Sequence, residues 1–115
     1  MSEFYTNIKG LPEGKTYFTG RGYSQSYPWV EIKRSPSGKT VTLAKVNVKR
    51  DPDFTPHIIP GGFAGHCDNQ DKQTWLFDSI DDANTMTIRM TKRGWANGET
   101  RFTENRAVEF YDWNF

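Results

Sequence analysis

The sequence has little of what staples, anchors or strongly charges a small protein. It contains one cysteine, so no disulfide closes within the chain, which fits a reducing compartment. No apolar run approaches the roughly 20 residues of a membrane-spanning helix, and none has the form of a signal-peptide core. The expectation is a cytoplasmic protein with no membrane contact. No window holds the period of an amphipathic helix. Net charge is nearly absent: 15 Lys and Arg against 14 Asp and Glu leave +1. Overall charge therefore selects no class of partner. The sequence also shows no repeat, linker or low-complexity stretch.

What is present is aromatic residues and turn formers. The chain carries 8 Phe, 5 Tyr and 4 Trp beside 10 Gly and 6 Pro. Each large aromatic buries about 150–250 Å², so a core can be built with few aliphatic residues. This composition favours short strands and turns over helices. At 115 residues the chain reads as one domain, residues 1–115, able to bury a core without staples. The predicted class is all-β, a small, strongly bent SH3-like or related barrel, with a two-sheet β-sandwich as the alternative.

The clearest local pattern is a hairpin over residues 29–48. Residues 29–34 alternate, with Val30 and Ile32 assigned to the core side and Trp29, Glu31 and Lys33 to the other. Ser35-Pro36-Ser37-Gly38 makes the turn. In residues 40–48, Val41 and Leu43 share one parity while Val46 and Val48 share the other. A parity slip of this kind predicts a β-bulge near Ala44-Lys45. Residues 16–19 read as a strand, 20–28 as a polar loop, 57–59 and 74–79 as strands, and 78–84 as a turn or one helical turn. Residues 85–91 place Met86, Ile88 and Met90 inward. Asn97-Gly98 signals a further turn.

Between two strand patterns lies Pro60-Gly61-Gly62-Phe63-Ala64-Gly65-His66-Cys67. Three glycines this close indicate a sharply bent backbone. Phe63 reads as the anchor of a packed loop. A backbone cradle for an anion is the competing reading, but such loops usually feed a helix N-terminus, and no helical pattern follows. Gly61, Gly62, Phe63, Gly65, His66 and Cys67 are therefore assigned a structural role. A nucleophilic thiol needs a base in hydrogen-bond reach, and neighbours on an extended chain point apart, so no catalytic residue is assigned. His57, His66, Cys67 and Asp68 fall short of the four Cys or His of structural zinc. No metal or cofactor is assigned.

The loop segment, with Asn69-Gln70 behind it, the Gln73-Thr74-Trp75 strand start and the Glu109-Phe110-Tyr111-Asp112-Trp113-Asn114-Phe115 ending resemble a group of small uncharacterised proteins of tailed bacteriophages and prophages. Ser37-Gly38-Lys39-Thr40-Val41 is similar too. The resemblance covers about the last two thirds of the chain. It implies a phage accessory product acting in the cytoplasm of a host bacterium, and carries no catalytic residue with it. The expected function is a non-enzymatic protein that binds and modulates a host protein, including as an inhibitor of a host defence system. Nucleic-acid binding by a small β-barrel is the alternative.

Either partner would use aromatic and basic side chains together. Residues 1–56 hold nine Lys and Arg against five Asp and Glu, residues 57–115 six against nine. The candidate binding face is accordingly drawn in the first half, from Arg21, Tyr23, Tyr27, Trp29, Lys33, Arg34 and Lys45. Its premise is that Trp29 faces away from the core. A competing premise has the N-terminal arm, with Phe4 and Tyr5, cover Trp29.

Overall fold

The computed structural model describes residues 4–60 and 66–114. Eleven strands occur among them, in the order β1 (Tyr5–Thr6), β2 (Ile8–Lys9), β3 (Tyr17–Arg21), β4 (Ser26–Arg34), β5 (Thr40–Arg50), β6 (Ile58–Ile59), β7 (His66–Cys67), β8 (Trp75–Thr91), β9 (Gly94–Asn97), β10 (Thr100–Glu104) and β11 (Arg106–Ala107). One 3-10 turn, Gln70–Lys72, precedes β8. The fold is all-β, as the composition predicts.

The main sheet runs β2-β8-β5-β4-β3-β10-β9, and β9 pairs again with β8. Six strands thus close into a small barrel, which leaves no free edge among them. The interior is set by register. Phe18 lies opposite Trp29, Val41 opposite Ile88 and Leu43 opposite Met86, and Trp95 opposite Phe102. These eight residues form one core cluster. Gly20 stands opposite Phe102, and a Cβ on Gly20 would come within 2.8 Å of the Phe102 ring. Glycine there gives the ring its place in the barrel.

A second cluster lies on the other face of the same strands. It contains Ile8, Tyr17, Val30, Ala44, Val46, Trp75 and Ala107, flanked by Leu11, Val48, Phe77, Ile80 and Trp113. The two cores lie one after the other along β5 and β8. This arrangement extends the molecule to 53 × 31 × 29 Å with a radius of gyration of 15.6 Å, against about 13 Å for a spherical packing of this length.

The parity change in β5 is the step from one core to the other. Leu43 belongs to the barrel and Ala44 to the outer core, and both are fully buried. The predicted register shift between Ala44 and Lys45 is present. The extra residues sit on the partner strand: Ala44 pairs with Thr85 and Lys45 with Asp81. Residues 78–84 are therefore not a separate turn. They are the bulged middle of β8, where the Ala83 amide donates to the Asp81 carboxylate at 3.1 Å. Turn-forming side chains here serve a bulge.

The strands extend into the predicted loop 20–28 from both ends, leaving a tight turn in which the Gly22 amide donates to the Gln25 carbonyl at 2.7 Å. Ile32 departs from its assignment to the core. It is the extra residue of a bulge between Glu31 and Lys33 and is 51% exposed. Met90 is also exposed, at the rim of the barrel. The arm forms β1 and β2, which pair in parallel with β11 and β8.

Candidate functional site

The structure disperses the seven-residue face. Trp29 is 9% exposed and lies within the barrel core, because the barrel interior takes the parity of Trp29 while Val30 serves the outer core. The arm does not cover it either: Phe4 packs on Tyr17 with ring centroids 5.7 Å apart, and Tyr5 lies beneath Arg106 at 4.6 Å. Arg34 is exposed but engaged in contacts within the chain. Its guanidinium meets Glu31 at 2.7 Å and Glu104 at 3.4 Å, and lies 5.4 Å from the centre of the Trp95 ring. Lys45 is half-buried, with its amine 5.4 Å from the Tyr27 ring centre and 5.9 Å from that of Trp29. The amine donates to the Val46 carbonyl at 3.0 Å. Burial lowers the Lys45 pKa against the pull of Glu109, and raises the Glu109 pKa against the pull of Lys45. Lys33 is exposed on the strand after the bulge.

Arg21 and Tyr23 remain together. They line a groove of about 530 Å³ at the β3–β4 turn, completed by Ser26, Thr103, Arg106 and Phe110. Tyr23 is 95% exposed at its rim. The floor is fixed by Thr19, whose hydroxyl donates to the Arg106 carbonyl at 2.6 Å and accepts from the Val108 amide at 3.1 Å. Ser26 and Phe110 exchange backbone hydrogen bonds at 3.2 and 3.0 Å. Arg106, Thr103 and Phe110 are site residues that sequence reasoning missed. They lie some eighty residues from the hairpin, and only barrel closure brings them beside it.

The residues around the glycine segment form a structural unit. Gly61, Gly62, Phe63 and Gly65 lie outside the described residues. The flanking strands β6 and β7 pair, Ile58 with Cys67 and Ile59 with His66. Cys67 is buried and reduced. Its amide donates to Asn114 Oδ1 at 2.7 Å, its carbonyl accepts from Asn114 Nδ2 at 2.9 Å, and its thiol donates to Asn69 Oδ1 at 3.4 Å. His57 Nδ1 faces Asp68 at 2.8 Å, and His66 is exposed. The thiol therefore has an amide oxygen as its neighbour where catalysis needs a base. Among the described residues no three His, Cys, Asp or Glu side chains gather as a metal group.

The same region carries an unusual clasp. The extended C-terminal segment is held chiefly by side-chain amides. Gln73 Oε1 accepts from the Tyr111 amide at 2.8 Å and from Trp75 Nε1 at 2.9 Å, while Nε2 donates to the Tyr111 and Gln70 carbonyls at 3.0 and 2.8 Å. Asn7 pairs both ways with the backbone of Glu109 at 2.8 and 3.1 Å. Gln70 accepts from the Trp113 amide at 2.9 Å. Trp113 then stacks on Trp75 with centroids 6.4 Å apart. Residues 70–75 and 109–114 are thus held together by one hydrogen-bond network.

The chain matches no family model, no curated protein and no solved structure.

Proposed function

We propose that this chain is a non-enzymatic binding protein that acts through the groove at the β3–β4 turn. The observation that carries the reading is a polar groove, its floor held by Thr19, that is lined by the exposed Tyr23 together with Arg21 and Arg106. Tyrosine and arginine supply most of the binding energy at protein interfaces. Tyr23 offers a large amphipathic surface with few rotatable bonds, and the arginines favour a partner with carboxylates. Together with the resemblance to phage proteins, this supports a phage accessory product that binds and modulates a host protein in the host cytoplasm, including as an inhibitor of a host defence system.

The nucleic-acid reading of the same seven-residue face has less support, since Trp29 is buried and Arg34 and Lys45 make their contacts within the chain. The test is affinity capture from nuclease-treated bacterial lysate with the native chain and with Tyr23→Ala. The expected outcome is a partner retained by the native chain and bound at least about tenfold more weakly by the variant, with an unchanged melting temperature. An identical set of captured proteins for both would overturn the groove as the site.

A further inference from the structure

The C-terminal segment, residues 106–114, is bound as a strand, yet much of its neighbouring ladder is replaced by side chains. Odd-numbered residues turn their backbone to one side. The Ala107 carbonyl accepts from the Thr6 hydroxyl at 2.7 Å. Glu109 meets the Asn7 amide, and Tyr111 the Gln73 amide, each through both N–H and C=O. The Trp113 amide donates to Gln70. Even-numbered residues turn to the other side: Arg106 and Val108 to the Thr19 hydroxyl, Phe110 to the Ser26 backbone. This alternation is that of an extended strand with both edges in use. Beyond the pairing of β11 with β1, only Phe110 finds a backbone ladder partner among the described residues.

The segment departs from the barrel at a single residue. Strand β10 runs along β3 as far as Glu104, opposite Phe18. Asn105 continues that register, its amide donating to the Tyr17 carbonyl at 2.9 Å. Its φ is 61°, the only positive value outside glycine among the described residues. Asparagine tolerates this left-handed conformation better than most residues, and here it folds the chain back over Thr19. With Asn105 extended instead, β10 would run straight on and carry residues 106–114 out of their groove. The groove would then stand open, with donors and acceptors spaced for an extended backbone.

We propose that two copies of this chain exchange their C-terminal segments, each laying residues 106–114 into the other's groove with Asn105 as the hinge. Every contact made within one copy is made again between the two, so the exchange gives up none of them. The occupant is a second copy and not a foreign strand, because the groove fits side chains as well as backbone. Ala107 is fully buried there, Val108 is 7% exposed, and Trp113 stacks on Trp75. With the contacts unchanged, two quantities decide between monomer and dimer. One is the effective concentration of the tethered segment, about millimolar for a short tether. The other is the backbone strain at Asn105, which exchange relieves at both hinges. The groove at the β3–β4 turn takes Arg106, Val108 and Phe110 from this segment, so each such groove in the dimer is built from both copies. The exchange does not rest on the role proposed for that groove, since its test reads assembly alone.

The test is size-exclusion chromatography with light scattering on the full chain, refolded from urea across a series of protein concentrations. The native chain should be monomeric at micromolar concentration and dimerise towards the millimolar range. Asn105→Val makes the left-handed backbone costlier and should tighten the dimer about tenfold for each hinge, roughly a hundredfold in all. Asn105→Gly relieves the strain within the monomer and should not tighten it. Asn114 lies against the Cys67 backbone, so Asn114→Cys reports the route of the segment. Oxidation should join Cys67 of one copy to the introduced thiol of the other, in a share that rises with the concentration at refolding, as read by peptide mass. A dimer whose disulfides all stay within single chains would overturn the proposal, as would an Asn105→Val chain that folds and remains monomeric throughout. If Asn105→Val does not fold, the Asn114→Cys series on the native hinge decides alone, and intrachain disulfides at every concentration overturn the exchange.

Discussion

Trp29 shows how one side chain's direction depends on the closure of a barrel many residues away. Its strand alternates, and alternation allows either parity to be the buried one. The structure buries both: Trp29 inside the barrel and Val30 against the outer core. Trp29→Ala should therefore cost about 3–5 kcal/mol, read as a loss of stability in urea or thermal unfolding. A change within a few tenths would place the ring outside the core. Gly20 makes the complementary point. Alanine there meets the Phe102 ring at 2.8 Å, in a backbone conformation that other residues adopt freely, so its cost is one of overpacking. Gly20→Ala should destabilise by about 1–3 kcal/mol, and Gly20→Ala/Phe102→Leu should recover part of that loss by freeing space. The double variant being less stable than the sum of the two changes would contradict the contact.

At the scale of elements, short segments are held by side chains more than by ladders. Strand β2 has two residues, and it is tied down by Lys9, whose amine meets Asp51 at 2.8 Å. Asp51 also accepts from the Thr74 hydroxyl at 2.7 Å and the Asp53 amide at 2.9 Å. The Lys9 ammonium and these donors lower the Asp51 pKa from 3.8 to about 2. A carboxylate with a depressed folded-state pKa stabilises fully above its unfolded value. That contribution is lost as pH falls through the folded value. Melting temperature should therefore drop between roughly pH 4 and 2, and Asp51→Asn should be less stable at neutral pH yet flatter across that window. Parallel curves for the two proteins would refute this.

The C-terminal clasp makes a similar case. Gln73 is 3% exposed and uses all of its amide positions. Gln73→Glu keeps its shape but replaces two donors with an acceptor facing two carbonyls. The expected loss is at least about 1–3 kcal/mol, the cost of buried unpaired polar groups, and faster proteolysis of the C-terminal segment. Native resistance in the variant would show that the segment is held by packing alone.

For the molecule as a whole, two cores share β4 and β5. Leu43→Ala in the barrel and Val46→Ala in the outer core should each lower the midpoint of one common transition, by an amount corresponding to about 2–5 kcal/mol for the leucine. Separate transitions by tryptophan fluorescence and circular dichroism would show that the cores unfold independently. The all-β class, the 29–48 hairpin and the bulge beside Ala44 were legible in the sequence because the strand period and turn chemistry are local. The strand before the glycine segment was legible for the same reason, whereas His66-Cys67, which forms β7, read as part of the loop. Barrel closure, the choice of parity at Trp29, and the joining of Arg106 and Phe110 to the β3–β4 turn were not. Each depends on register between strands distant in the chain, and register is decided by which apolar faces can be buried together.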